Sequence, residues 1–173
     1  MQSLLFNFFI IISNIGGETM MVAATTIISI IIFFWHKEEI LAGFIFFNYI
    51  ATMSLVVVLK YLIHKPRNPF ALVHESSYAF PSGHTAAAAI TLFLLFYLSR
   101  FIKNKSWKDF VKIFGIIWLI LIISARLYLK VHDIYDILAS ILIAIFIFKL
   151  SLELKIFSKG ILKKEIKELK IHE

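Results

Sequence analysis

A Pro-Ser-Gly-His segment at residues 81–84 opens a long apolar stretch and is the feature around which the other polar clusters are arranged. A helix N-terminus offers free N–H groups and the positive end of the helix dipole, which together favour an anion. Ser82 could cap the helix or donate to an anion, Gly83 would allow a close backbone approach, and His84 could donate a proton. Taken alone, the segment is equally typical of an ordinary turn into a helix.

Two further clusters of ionisable residues stand before and after this segment. Lys60 and Arg67 are seven positions apart, about two turns if one helix continues, and would offer a phosphate a point charge and a planar fork. His132 and Asp136 are four positions apart and therefore share a helix face, where the carboxylate can hold the imidazole in one tautomer. Arg126 lies six residues before His132. The three clusters together predict a phosphate-handling site.

Other interpretations of the neighbouring residues remain at this point. Lys65 is interpreted as a lysine that extends to the membrane surface, and Asp133 as a solvated or capping residue. His84, His132 and Asp136 could also bind a metal, but the nearby cations repel a metal and attract an oxyanion. The sequence has no cysteine, which excludes disulfides and thiolate ligands. We therefore expect neither a metal nor another cofactor.

The composition indicates an integral membrane protein. The length of 173 residues suffices for one domain. Hydrophobic residues make up 60% of the sequence, compared with roughly 45–50% apolar residues in soluble domains, and the mean hydropathy is +0.87. The net charge of +7 is then better explained by membrane topology and anionic lipids than by a nucleic-acid partner.

The apolar segments predict an all-α, polytopic helix bundle. Five segments are interpreted as membrane spans, at residues 20–35, 40–63, 82–101, 110–129 and 132–152, the first of which is about the shortest span possible. Residues 3–12 are too short to span and predict an interfacial or re-entrant helix. We expect residues 1–173 to form one domain with its core at 15–152. The tail at 153–173 is interpreted as a basic amphipathic helix on the membrane, or alternatively as a frayed, solvated tail.

The distribution of basic residues predicts the orientation of the bundle. Threading five spans places all three polar clusters at one membrane face, together with five of the 18 lysines and arginines. The other 13 lie at the opposite face, which the positive-inside rule assigns to the cytoplasm. We therefore expect a protein of the inner (cytoplasmic) membrane whose site faces outward, to the periplasm.

With these residues at these spacings, the sequence resembles the type 2 phosphatidic acid phosphatase family of membrane lipid phosphatases. The pattern of that family is Lys-x6-Arg-Pro, then Pro-Ser-Gly-His, then Ser-Arg-x5-His-x3-Asp. This sequence departs from it at Asn68, where proline is expected, and at Ala125, where serine is expected. The charged residues stand at the expected positions: Lys60, Arg67, Arg126, His132 and Asp136. The resemblance covers residues 15–152.

The resemblance implies a metal-independent phosphatase that works through a phosphohistidine. His132 would attack phosphorus, Asp136 would orient and stabilise it, and His84 would protonate the leaving oxygen and then activate water. Five groups would hold the phosphoryl oxygens: Lys60, Arg67, Ser82, the Gly83 amide and Arg126.

The resemblance also implies a phosphorylated membrane lipid as the substrate. Because the chain is short and has no additional headgroup domain, lipid A 1-phosphate and polyprenyl diphosphate rank first and nearly level. Phosphatidylglycerophosphate and phosphatidic acid are the alternatives. A non-catalytic phospholipid-binding membrane protein is a further alternative, although binding alone would not require an oriented His132. The oligomeric state stays open.

Overall fold

The computed structural model of the chain describes residues 2–35 and 37–154. These residues form six α-helices and one short 3-10 turn at Ser99–Phe101. The helices are α1 (Gln2–Ile15), α2 (Glu18–Trp35), α3 (Glu39–Ile63), α4 (Gly83–Leu98), α5 (Lys105–Tyr128) and α6 (Ile134–Glu153). Helices α2 to α6, with α4 extended by the 3-10 turn to Phe101, are long and apolar enough to cross a membrane, which confirms the predicted all-α bundle with five spanning helices. The proposed tail lies almost wholly in residues 155–173, outside the described residues.

Helix α1 is the short N-terminal helix that the sequence predicts, although it extends to Ile15 rather than residue 12. Its 14 residues remain below the roughly 17–25 that a spanning helix needs. It packs against α5, where the Phe9 and Tyr128 rings lie 4.7 Å apart. Gly16 follows at this contact, and any larger residue there would collide with Ile122.

Helices α4, α5 and α6 do not start at the predicted boundaries, because their N-cap residues set where each helix begins. Ser82 and Asp133 adopt extended backbone conformations and cap α4 and α6, so these helices begin at Gly83 and Ile134, one and two residues later than predicted. Helix α5 instead begins five residues early, since the Asn104 side chain accepts from the Trp107 N–H at 3.1 Å. His132 therefore precedes α6 rather than belonging to it.

The end of α3 coincides with the predicted end of the second span at residue 63, so the helix does not continue to Arg67. His64 takes a left-handed conformation with φ of 53° and closes the helix at Ile63. A residue before proline is disfavoured in helices, and Lys65 precedes Pro66. Lys60 and Arg67 are consequently not two turns apart on one helix.

Helix α4 lies at the centre of the bundle and contacts α2, α3, α5 and α6. Its residues Ala86 to Ala89 are all buried, and such small side chains let neighbouring helices approach closely. Opposite them, Phe44 and Tyr49 of α3 are buried in the same apolar cluster. This packing holds the N-terminus of α4 between the start of α6 and the end of α3.

A loop at residues 64–82 connects α3 to α4 across this end of the bundle. Ala79 N donates to Lys65 O at 2.9 Å within the loop, and Leu72 N ties the loop to its surroundings by donating to Leu129 O at 2.9 Å. Ser82 N donates to Asp136 O at 3.3 Å. The loop is thereby fastened to the turn between α5 and α6.

Candidate active site

The start of α6 holds a buried imidazole against a fixed carboxylate. Asp133 Oδ1 accepts from the N–H groups of Tyr135 and Asp136, while Asp136 Oδ2 accepts from Asp133 N at 3.1 Å. This capping box confirms the capping interpretation of Asp133 and fixes the Asp136 side chain. The same Oδ2 atom lies 3.4 Å from His132 Nδ1, and both side chains are 1% exposed.

The contacts of His132 determine which ring nitrogen carries the proton. Arg67 Nη1 lies 3.0 Å from His132 Nε2, and a guanidinium group can only donate. Nε2 must therefore accept, which assigns the proton to Nδ1, facing Asp136. Burial lowers the pKa of His132 to about 4, helped by the charges of Arg126, Arg67 and Lys60 and opposed by the hydrogen bond to Asp136. At neutral pH His132 thus presents an unprotonated Nε2 to the cationic groups.

Arg67 and Arg126 converge on Glu75, a residue that the sequence analysis did not select. Arg67 Nη2 donates to Glu75 Oε2 at 2.9 Å, and Arg126 Nη2 donates to Oε1. Burial alone would raise the pKa of Glu75, but the charge and hydrogen bond of Arg126 and the charge of Arg67 lower it to about 2. An ionised carboxylate therefore occupies the guanidinium groups that were expected to hold phosphoryl oxygens.

Arg126 is anchored from the N-terminal helix as well. Its side chain is 1% exposed, and Nη1 donates to Ser13 Oγ at 2.6 Å. Nothing in the sequence pattern marks Ser13 as a site residue. Helix α1 thus contributes a hydrogen bond to a predicted phosphate ligand.

The two lysines near the end of α3 occupy different places. Lys60 is 3% exposed, and its Nζ donates to Tyr78 O at 2.8 Å. Lys65 Nζ contacts Asp133 Oδ2 at 2.5 Å and Asp136 Oδ1 at 2.6 Å, so the interpretation that Lys65 simply extends to the membrane surface is wrong. Because α3 stops at Ile63, the chain turns Lys65 back towards α6. Burial opposes the charge, but the bonds to both carboxylates raise the pKa of Lys65.

The N-terminus of α4 is joined to that of α6. Ser82 is fully buried, and its Oγ accepts from Thr85 N at 3.4 Å, so of its two predicted roles the capping role is the one seen. Ser140 Oγ lies 2.8 Å from Ser82 O and 2.6 Å from Asp136 O. The shared hydroxyl places the Pro-Ser-Gly-His segment beside the His132–Asp136 pair.

His84 and Gly83 lie against the start of α2. His84 Nδ1 is 3.7 Å from Glu18 Oε1, and a Cβ atom on Gly83 would overlap the Glu18 carboxylate. Glu18 is a second acidic residue of the site that the sequence analysis did not select.

A cavity of about 240 Å³ opens beside the His132–Asp136 pair, and Lys65 and Arg67 are among its other lining residues. A second cavity of about 380 Å³ lies on the other side of Arg67 and reaches Glu75. Within residues 2–35 and 37–154, no three His, Cys, Asp or Glu side chains are grouped as a metal site would require.

Comparisons with known proteins relate this arrangement to one superfamily. The sequence model of the PAP2 superfamily matches residues 41–157, a range that contains all three clusters. Phosphatidylglycerophosphatase B of Bacillus subtilis (strain 168) is 41% identical over 97 residues, which cover 53% of this chain and 46% of that protein. Phosphatidylglycerophosphatase B of Haemophilus influenzae is 37% identical over 81 residues, 44% of this chain and 34% of that protein. The chain thus matches less than half the length of either relative.

The fold is also similar to a solved structure. The crystal structure of a transmembrane PAP2 type phosphatidylglycerolphosphate phosphatase from Bacillus subtilis superposes with a TM-score of 0.73 and 29% sequence identity. The match covers 95% of this chain and 79% of that one. Because the superfamily match spans well over half of the sequence and the helical fold agrees, this multi-pass membrane protein belongs to the PAP2 superfamily.

Proposed function

We propose that this protein is a metal-independent lipid phosphatase that passes a phosphoryl group through His132 to water. The observation that carries the proposal is the unprotonated Nε2 of His132, backed by Asp136 at Nδ1 and placed beside Arg67. A nucleophile, its orienting carboxylate and a guanidinium group within hydrogen-bond reach are the parts that covalent phosphoryl transfer requires.

In the first half of the reaction, His132 Nε2 attacks phosphorus and the bond from phosphorus to the lipid oxygen breaks. His84 donates its proton to that oxygen, and Asp136 stabilises the Nδ1–H of the phosphorylated imidazole. In the second half, water attacks phosphorus while His84 takes a proton from it, the bond from phosphorus to His132 Nε2 breaks, and inorganic phosphate leaves. The proton that His84 gives to the lipid oxygen in the first half is replaced by a proton from water in the second.

The phosphoryl oxygens take the place of the Glu75 carboxylate on Arg67 and Arg126. The adjoining cavity gives Glu75 room to move away, and the exchange leaves the two cations paired throughout. Lys60, Ser82 and the Gly83 amide complete the proposed set of phosphate ligands around the N-terminus of α4.

The favoured substrate is phosphatidylglycerophosphate, which the sequence ranked only as an alternative to lipid A 1-phosphate and polyprenyl diphosphate. Both curated relatives and the structural neighbour are named for this lipid, whereas none of the three is named for lipid A or polyprenyl diphosphate. The proposed location is the inner membrane with the site facing the periplasm. Its support is the charge asymmetry expected from the sequence, because threading five spans assigns 13 of the 18 basic residues to the opposite face.

The test is phosphate release by the purified full-length protein in detergent with EDTA present. We expect release from phosphatidylglycerophosphate to exceed release from lipid A and polyprenyl diphosphate, and His132→Ala to abolish it. The His36→Ala variant, changed between α2 and α3, serves as a matched control that should stay active. With radiolabelled lipid, the wild type should carry an acid-labile label that His132→Ala lacks.

Two results would reject the proposal. A folded wild type that releases phosphate from none of the three lipids would point to a non-catalytic lipid-binding protein. Release that persists in His132→Ala would exclude the phosphohistidine route.

A further inference from the structure

Glu18, the first residue of α2, brings a carboxylate to the proposed acid–base histidine. Its Oε1 lies 3.7 Å from His84 Nδ1, within ion-pair distance, and the two side chains are 33% and 14% exposed. His84 Nδ1 is itself buried and has no hydrogen-bond partner among the described residues. Glu18 is the acidic group that faces this nitrogen.

The sequence provides both this carboxylate and the space that it occupies. Glu18 is the only acidic residue before Glu38, and it stands at the end of the bundle where the site lies. A Cβ atom on Gly83 would overlap the Glu18 carboxylate, so no other residue at 83 allows Glu18 its present position.

The other charged groups near the site have partners of their own and do not draw Glu18 away from His84. Glu75, the other carboxylate with an electrostatic effect on His84, is bound by Arg67 and Arg126. Glu18 interacts with His84 and with Lys60, and the Nζ atom of Lys60 donates to Tyr78 O. The contact of Glu18 with the imidazole is therefore direct, whereas that with the lysine is longer in range.

We propose that Glu18 is a positioning residue for His84 in the transfer step. The carboxylate engages the Nδ1–H of the imidazole, turns Nε2 towards the leaving oxygen and stabilises the imidazolium that delivers the proton. The proton passes from Nε2 to the lipid oxygen as the bond to phosphorus breaks, and water later returns one to Nε2. This inference rests on the proposed phosphatase function and adds to it a residue outside the superfamily match at 41–157.

The experiment compares two leaving groups in the full-length protein. Phosphatidylglycerophosphate releases an alkoxide that must be protonated, whereas p-nitrophenyl phosphate releases a phenolate that needs no proton. We expect Glu18→Gln to lower kcat/KM for the lipid by roughly tenfold or more, a part of the 10²–10⁴-fold that general acid catalysis supplies. The loss with p-nitrophenyl phosphate should stay within about threefold, because kcat/KM reports only the steps up to cleavage of the leaving group.

Each outcome has a distinct meaning. Equal losses with both substrates, or no loss with the lipid, would overturn the positioning role, since a carboxylate that only stabilises the helix N-terminus would not distinguish leaving groups. A wild type that hydrolyses neither substrate would reject the proposed function instead. Glu39→Gln is the matched control, because Glu39 is likewise the first residue of a spanning helix, α3, and is exposed.

A second variant keeps the test decisive if Glu18→Gln does not fold. In Gly83→Ala the added methyl group would displace the end of the Glu18 side chain, while the side chain itself would remain a carboxylate. We expect the lipid reaction to suffer more than the p-nitrophenyl phosphate reaction in this variant also. An unchanged ratio of the two rates would count against the proposal.

Discussion

At the scale of single residues, the candidate site combines charged guanidinium groups with a neutral imidazole, the proposed nucleophile. Arg67 and Arg126 carry charge, whereas burial keeps His132 neutral, with an unprotonated Nε2 that accepts from Arg67. The pKa of about 4 for His132, compared with 6.5 for an ordinary histidine, gives this arrangement a consequence that can be measured.

We predict that activity survives well below the pH at which an ordinary histidine protonates. Because the folded pKa is lowered, neutral His132 persists as the pH falls through 6.5 and is lost only near 4. The measurement is kcat/KM between pH 4 and 7, corrected for the separately determined ionisation of the substrate. A loss of activity centred on pH 6.5 would contradict the assignment of His132 as the neutral nucleophile.

Replacing Glu75 should strengthen the binding of inorganic phosphate. A carboxylate competes with the ligand for two guanidinium groups, and a neutral amide competes less because charge-assisted hydrogen bonds are about twice as strong as neutral ones. We expect Glu75→Gln to lower the inhibition constant of inorganic phosphate by about fivefold, or ~1 kcal/mol. Glu153→Gln, at the far end of α6, is the control.

The same variant has a defined pH dependence. Since the pKa of Glu75 is depressed from 4.5 to about 2, its charge and its ion pairs are complete above pH 4.5 and disappear only as the pH falls towards 2. The difference between Glu75→Gln and the wild type should therefore be constant from pH 5 to 8. A difference that varies across this range would show that another group is responsible.

The sequence predicts those residues of the site whose spacing is local, and it misses those that folding brings from elsewhere. His132 and Asp136 meet because they are four residues apart. Glu75 and Glu18 have no fixed spacing to the three clusters, and only the packing of the loop and of α2 against α4 brings them close. One signal was available, because Glu75 is the only acidic residue between Glu39 and Asp109.

At the scale of elements, the ends of helices decide the geometry of the site. The spans could be predicted from hydropathy, whereas the helix ends depend on caps and turns. Lys65 illustrates this limit: the end of α3 at residue 63 was predicted, but the left-handed turn at His64 that directs Lys65 towards α6 was not. The resulting ion pairs tie the loop after α3 to the first turn of α6.

We predict that Lys65→Met destabilises this link. The variant leaves Asp136, which is 1% exposed, without one of its charged partners. A hydrogen bond to a charged group is worth about 1.5–3 kcal/mol, and the partly exposed contact with Asp133 contributes less. We expect a loss of about 1–2 kcal/mol in the free energy of unfolding in detergent. Lys103→Met, an exposed lysine at the other end of the bundle, should change it little; equal effects would refute the link.

At the scale of the whole molecule, the uneven distribution of lysines predicts the orientation in the membrane. The sequence contains no cysteine, so single cysteines can be introduced without interference. Ser76, in the loop at 64–82, and Ser106, at the start of α5, are both exposed and lie at opposite ends of the bundle.

We predict that a membrane-impermeant maleimide labels Ser76→Cys in spheroplasts and labels Ser106→Cys only after lysis. The positive-inside rule requires this order because the lysine-rich ends stay in the cytoplasm. The reverse order would place the site in the cytoplasm and overturn the proposed periplasmic location. The cysteine-free wild type reports background labelling.

The ion pairs of Glu75 have a consequence for the selectivity of the proposed phosphatase, because the lipids that surround it are chemically similar to its substrate. Most lipids of a bilayer are phosphodiesters with one negative charge at the phosphate, whereas a phosphomonoester carries about 1.5–2 at neutral pH. A diester that reaches Arg67 and Arg126 would exchange one monoanion for another and gain little. A monoester brings the additional charge that makes the exchange favourable, so the internal counter-ion would keep the surrounding membrane from saturating the site.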